Sequence, residues 1–128
     1  MTGAVGDDLN GNDGNDTQKG GEGPDTMADG AGQDVFCFTR VSESTSGSSD
    51  RITDFMPGTD ILDFSGMLSG AFDLSILGPY TGSGPSIRTN VNTSGDTIVF
   101  VDADGDGGAD MRIALDQVAG LTESDFLL

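Results

Sequence analysis

The sequence has no histidine and no tryptophan, one cysteine, one tyrosine and five basic residues in 128 positions. Without histidine there is no His-ligated zinc, no His general base and no HExxH helix. Cys37 alone permits neither an intrachain disulfide nor a thiolate zinc cluster. Lys19, Arg40, Arg51, Arg88 and Arg112 are too few and too scattered for a phosphate backbone, which excludes nucleic acid as a partner. The same shortage disfavours anionic membrane surfaces. No apolar run approaches the ~18 residues of a membrane span, so no membrane insertion is expected. No basic-then-apolar stretch opens the sequence, so no N-terminal signal peptide is expected.

What is abundant is acid of one kind. The formal charge is −17, and all but three of the 22 acids are aspartate. Glutamate suits helix surfaces, whereas aspartate favours caps, turns and oxygen-ligand sites. Glycine is also plentiful, at 21 residues. A chain only 34% apolar with this much uncompensated charge should fold poorly by itself. Either it is disordered or cations complete it, and the placement of the acids decides. Asp7, Asp16, Asp25 and Asp34 are nine residues apart. Gly14, Gly23 and Gly32 stand two residues before an acid; Leu9, Met27 and Phe36 stand two after. A flexible Gly/Asp linker explains the composition but not a fixed register that carries both an acid and an apolar residue.

The clearest unit, Gly20-Gly21-Glu22-Gly23-Pro24-Asp25-Thr26-Met27-Ala28, resembles the RTX nonapeptide G-G-x-G-x-D-x-U-x of calcium-binding β-rolls. Glycines admit positive φ in the turn and let carbonyl oxygens converge on a metal. The resemblance implies two units per 18-residue coil, so that Asp7 stacks with Asp25 and Asp16 with Asp34. It implies two or more Ca2+ ions held by these carboxylates. The carbonyls of Gly11, Asp13 and Gly14 would join them, with those of Gly20, Gly21, Glu22 and Gly23 in the next turn and Asp29, Gly30, Ala31 and Gly32 in the third. Continuing the register places Glu43 over Asp25, and in serralysin-type sequences an acid there and one seven residues on, here Asp50, closes the last calcium site. Gln18 occupies an inward position and weakens its core layer.

Beyond residue 34 glycine falls and β-type apolar residues rise. Strands are expected over 35–38, 51–55, 60–64, 86–91, 97–101 and 111–115, with a turn at Pro57-Gly58 and a single helical turn capped by Ser65. Asp50-Arg51-Ile52-Thr53-Asp54-Phe55 and Gly58-Thr59-Asp60-Ile61-Leu62-Asp63-Phe64-Ser65 resemble the C-terminal pattern of serralysin-type zinc proteases. So does the close, Leu121-Thr122-Glu123-Ser124-Asp125-Phe126-Leu127-Leu128. The expected fold is all-β: a right-handed parallel β-roll continuing into a β-sandwich-like C-terminal part. Residues 1–38 would be the roll and 39–128 the serralysin-like region, in one continuous domain.

Asp102, Asp104, Asp106 and Asp110 match the start of an EF-hand loop, but Ile113 stands where its bidentate Glu belongs. They are read as an acidic hairpin turn, with an extra metal site as the alternative. Asp125, Phe126, Leu127 and Leu128 resemble the uncleaved signal of proteins exported by type I ABC transporters, and also read as a closing strand.

The resemblance thus implies a monomeric, secreted, extracellular bacterial module that folds on calcium, the non-catalytic C-terminal domain of a serralysin-like protease or other hydrolase, with the exporter as its transient partner. The alternative is a carbohydrate-binding accessory module of a secreted polysaccharide-modifying enzyme. Asp60 and Asp63 could pair as acid and base, but no nucleophile accompanies them.

Overall fold

The computed structural model describes residues 8–40, 43–45, 49–67, 73–75, 86–106 and 108–127. Asp7 and Leu128 lie outside them, as do residues 41, 42 and 46–48. Strand β1 spans Asp8–Asn10, β2 Thr17–Gln18, β3 Thr26–Ala28 and β4 Val35–Cys37. Each is short because one inward residue is followed at once by a glycine-rich corner. The central residues Leu9, Met27 and Phe36 are buried, whereas Asp8, Asn10 and Thr26 beside them are exposed. Gln18 takes the equivalent place in β2 and is fully buried. Its Nε2 donates to the Ala28 carbonyl (2.8 Å).

Successive strands alternate between two sheets. β1 and β3 pair in parallel, Leu9 opposite Met27, and β2 pairs with β4, Gln18 opposite Phe36. Both registers are offset by 18 residues. The offset then grows. β5 (Asp50–Ile52) joins β3 with Arg51 opposite Thr26. β6 (Ile61–Asp63) joins β4 with Ile61 opposite Val35. Parallel pairing therefore continues past residue 38 without a break.

A fourth coil is assembled from distant segments. β10 (Met111–Leu115) runs parallel to β5, and β11 (Phe126–Leu127) runs parallel to β6. Between them in sequence from β6, β7 (Asp73–Ser75), β8 (Ser86–Val91) and β9 (Thr97–Asp102) extend the first sheet. The order is β1-β3-β5-β10-β9-β8-β7 in one sheet and β11-β6-β4-β2 in the other. β9 is antiparallel to both β10 and β8. The predicted strands over 86–91, 97–101 and 111–115 agree with β8, β9 and β10. β7 and the 3-10 turn Glu123–Asp125 were not foreseen.

The core lies between the sheets. One rung runs Leu9–Met27–Ile52–Leu115, the facing one Gln18–Phe36–Leu62–Phe126. Phe38 stacks on Phe64 (centroids 5.5 Å apart), and Phe64 on Phe126 (6.3 Å). Cys37 points away from this core, its Sγ 3.6 Å from Asp63 Oδ2. No helix of the described residues is long and apolar enough to cross a membrane.

Candidate metal centre

The roll puts its aspartates where β strands begin, and stacking makes each serve the coil beneath. Asp34 Oδ1 accepts the Asp16 N–H (2.7 Å), and Asp60 Oδ1 accepts the Asp34 N–H (3.1 Å). On the opposite edge Asp50 Oδ1 accepts the Asp25 N–H (2.8 Å). Asp54 binds the next amides of that turn, from Asp29 (2.9 Å) and Gly30 (3.0 Å). The same arrangement recurs at each level: a carboxylate from one coil caps a backbone N–H of the last.

Asp54 and Asp60 use both oxygens, Asp60 Oδ2 accepting the Met56 N–H (2.7 Å), but others do not. Asp16 Oδ2, Asp34 Oδ2 and Asp50 Oδ2 are buried without a hydrogen-bond partner, as are both oxygens of Asp29. Asp29, Asp34 and Asp50 are fully buried. A hydrogen bond to a charged group contributes about 1.5–3 kcal/mol. Burying a bare carboxylate costs several kcal/mol per ion. One amide per acid cannot offset that, and the ion pairs Arg40–Glu22 and Arg51–Asp116 sit at the surface and use other acids. A hard cation with oxygen ligands satisfies these atoms.

The corners lie tight against carboxylate and carbonyl oxygens, and only glycine fits there. A Cβ at Gly11 would stand 2.7 Å from the Asp29 carbonyl oxygen and 2.9 Å from Asp16 Oδ2. A Cβ at Gly20 would stand 2.5 Å from Asp25 Oδ2. Glycine lets the backbone approach these carboxylates, and an all-oxygen donor set with buried unpartnered members fits calcium. Further along the turn the coils touch through backbone: Gly14 N–H donates to the Ala31 carbonyl (2.8 Å) and Ala31 N–H to that of Asn12 (3.1 Å). The Ala31 carbonyl therefore spends one lone pair on coil stacking, and Asp13 bridges Ala31 in the same ladder.

Asp16 and Asp34 come together as the nine-residue register requires, whereas Glu43 does not stand over Asp25. Its oxygens accept from Thr39, at the backbone N–H (3.1 Å) and Oγ1 (2.6 Å). Asp50 takes the place instead, because the second coil, from β3 to β5, takes 25 residues where the first takes 18. Glu43 nevertheless lies close enough for its charge to act on Asp50. Sequence reasoning missed Asp29 and Asp54, and assigned Asp60 no firm place. A signal existed: Asp25-x3-Asp29 recurs as Asp50-x3-Asp54, at the offset of that coil.

Crowded acids resist ionisation. Burial first, then the neighbouring Asp60 and Asp54, pushes Asp29 up to about 9. Burial likewise pushes Asp50 up to about 7; the Asp25 amide opposes this, and the charges of Asp25 and Glu43 add to it. Both folded values exceed the ordinary carboxylate value, so the metal-free fold holds extra protons. Its stability should be intact below about pH 4 and decline as pH rises toward about 7 for Asp50 and about 9 for Asp29. Urea midpoints at a fixed, limiting calcium concentration between about pH 5 and about pH 8 check this, and saturating calcium should flatten the slope or reverse its sign, since metal binding expels protons.

The EF-hand-like segment is the turn between β9 and β10. Asp102 Oδ1 accepts from Gly105 N–H (2.8 Å), and Asp110 Oδ2 from Ala103 N–H (2.9 Å). Ile113 is buried within β10, which leaves no twelfth-position ligand. Asp102, Asp104 and Asp106 still bring carboxylate oxygens within 4.8 Å of one another. Of the four terminal residues, Asp125 caps the turn at Gly58 (2.7 Å to its N–H) and Phe126 is buried; Leu127 is exposed.

Two solved structures share this architecture, both of subunits from the Azotobacter vinelandii mannuronan C5-epimerase. AlgE6R3 is 28% identical with a TM-score of 0.69, over 99% of this chain and 76% of that one. AlgE6R2 is 25% identical with a TM-score of 0.69, over 100% of this chain and 91% of that one. No curated protein matches the sequence. The Peptidase M10 serralysin C terminal family matches residues 9–128. With its glycine corners, stacked aspartates and parallel coils, the chain is an RTX-type β-roll and belongs to the serralysin C-terminal family.

Proposed function

We propose that this chain is a calcium-dependent folding module, the non-catalytic C-terminal part of a secreted serralysin-like protease or other hydrolase. The observation that carries the reading is the set of buried, unpartnered oxygens on Asp16, Asp34 and Asp50 beside glycine corners. Ions at these corners would use those carboxylates, Asp25, and carbonyls of the turns at 11–14, 20–23 and 29–32. They would also cancel part of the charge that opposes compaction. Inside a bacterial cell, where free calcium is scarce, the chain stays loose enough to be threaded through a type I exporter. Asp125 and Phe126 are accessible to that exporter only in the loose state, because both are buried once the roll forms.

Calorimetric titration of the metal-stripped chain tests the reading. Calcium should bind at two or more sites, with Kd near or below about 10⁻⁴ to 10⁻³ M, the range of extracellular modules. A flat titration overturns it.

A second reading, an accessory role beside a polysaccharide-modifying enzyme, is favoured by one feature besides the epimerase likeness. Arg88 and Arg112 flank Phe100 across three strands, their guanidinium carbons 4.1 and 5.7 Å from its ring centroid. That row offers charge and an aromatic face to an acidic sugar chain. Retardation in polyuronate gels favours this reading; unretarded migration favours the first.

A further inference from the structure

We propose that Asp29, Asp34 and Asp60 form one buried three-carboxylate cation site, in which Asp29 acts through its side chain, and that this site prefers a trivalent ion to calcium. The inference rests on the calcium reading above and specifies one of its sites.

Three observations carry it. Oxygens of the three side chains lie within 4.8 Å of one another, and all three residues are buried. Both Asp29 oxygens and Asp34 Oδ2 lack hydrogen-bond partners. Asp29 also departs from its own repeat, for the equivalent positions in the two preceding units are Gly11 and Gly20. A substitution of glycine by a fully buried acid is costly unless something at that corner takes up the charge. The backbone cannot swing the side chain out, since the Asp29 and Gly30 amides are both held by Asp54.

Charge count then sets selectivity. The rungs Asp16–Asp34 and Asp25–Asp50 each present two carboxylates. The Asp29 corner presents three, with the Asp54 carboxylate beside them on the Asp29 and Gly30 amides, so a divalent ion leaves more negative charge uncompensated than a trivalent ion does. Affinity in oxygen-ligand sites follows this count. Asp34 belongs to both sets: its Oδ1 caps the Asp16 amide while its Oδ2 is left for the ion.

The test titrates the full chain with calcium and with terbium, as wild type, Asp29→Asn and Asp29→Gly. Wild type should take terbium at one site ahead of the others. Both variants should lose that preference and bind calcium at one site about tenfold or more weakly, the other sites being unchanged. Both variants remove an unpartnered buried acid, so both should fold in saturating calcium. The europium-loaded wild type gives a second readout, a luminescence lifetime in H2O and D2O that reports few waters left on the ion. Variant titrations superimposable on a calcium-binding wild type overturn this proposal alone, as does a europium hydration close to that of the free ion. A wild type that takes up no calcium overturns the underlying reading instead.

Discussion

Chelation with EGTA is expected to unfold the chain, and millimolar calcium to fold it again. Take a Kd of about 10⁻⁴ M and external calcium near ~1 mM: each site then adds RT ln(1 + 10), about 1.4 kcal/mol. Two or three sites give about 3 to 4 kcal/mol, against a total stability of ~5 kcal/mol for a small domain. At sub-micromolar calcium this contribution vanishes, and what remains is a fold with several buried acids that nothing compensates. Fully buried Asp29, Asp34 and Asp50 make the metal-free state worse than a simple loss of ligand would suggest. Circular dichroism should therefore show loss of the β spectrum in chelator. A spectrum unchanged by chelator would mean that the buried oxygens are tolerated without metal, and the calcium-folding account would fail.

The second large effect concerns how closely the coils approach. Gly30 and Gly58 both have φ of 84°, so alanine at either site meets the same backbone strain, about 1–2 kcal/mol. Their surroundings differ. A Cβ at Gly58 would meet nothing within 4 Å, whereas a Cβ at Gly30 would strike the Asn12 backbone: its oxygen, its carbonyl carbon and, at 3.0 Å, its Cα. Backbone cannot rotate aside as a side chain can, so the first two coils must separate. Separation breaks the Ala31–Asn12 and Gly14–Ala31 hydrogen bonds and widens the Gly11 corner. We expect Gly58→Ala to lower stability in saturating calcium by about 1–2 kcal/mol and Gly30→Ala by about 3 kcal/mol or more, with weakened calcium binding in the latter alone. Urea unfolding of the two variants checks the difference; equal losses would show that the close approach contributes nothing.

How much of this was legible beforehand follows from where the register holds. Asp16, Asp25 and Asp34 were readable because each nine-residue unit repeats acid and apolar residue together, and β1 to β4 stack at that spacing. The later β strands were readable from their β-type apolar residues, which bury nearly all of β9 and β10. The third coil was not. Its starting point is set by the excursion that carries Glu43, which brings β5 onto β3 after 25 residues, and nothing local to Asp50 announces that it will stand over Asp25. The fourth coil pairs β11 with β6 across more than sixty residues, a contact that no local pattern encodes. Asp29 was hidden for a different reason: the repeat reserves its place for glycine, so only its carbonyl was considered.

The acid-to-amide rung recurs with partners 18, 25 and 26 residues apart. Loop length enters the closure entropy only logarithmically, at about 0.6 kcal/mol per doubling. The scaffold therefore tolerates long connections between rungs, and insertions of foreign sequence between β4 and β5 that spare Glu43 and Ser44, which support Asp50, should leave the mineral-facing edge intact. Such a lattice can diversify its outer loops freely while its inner ladder stays constant.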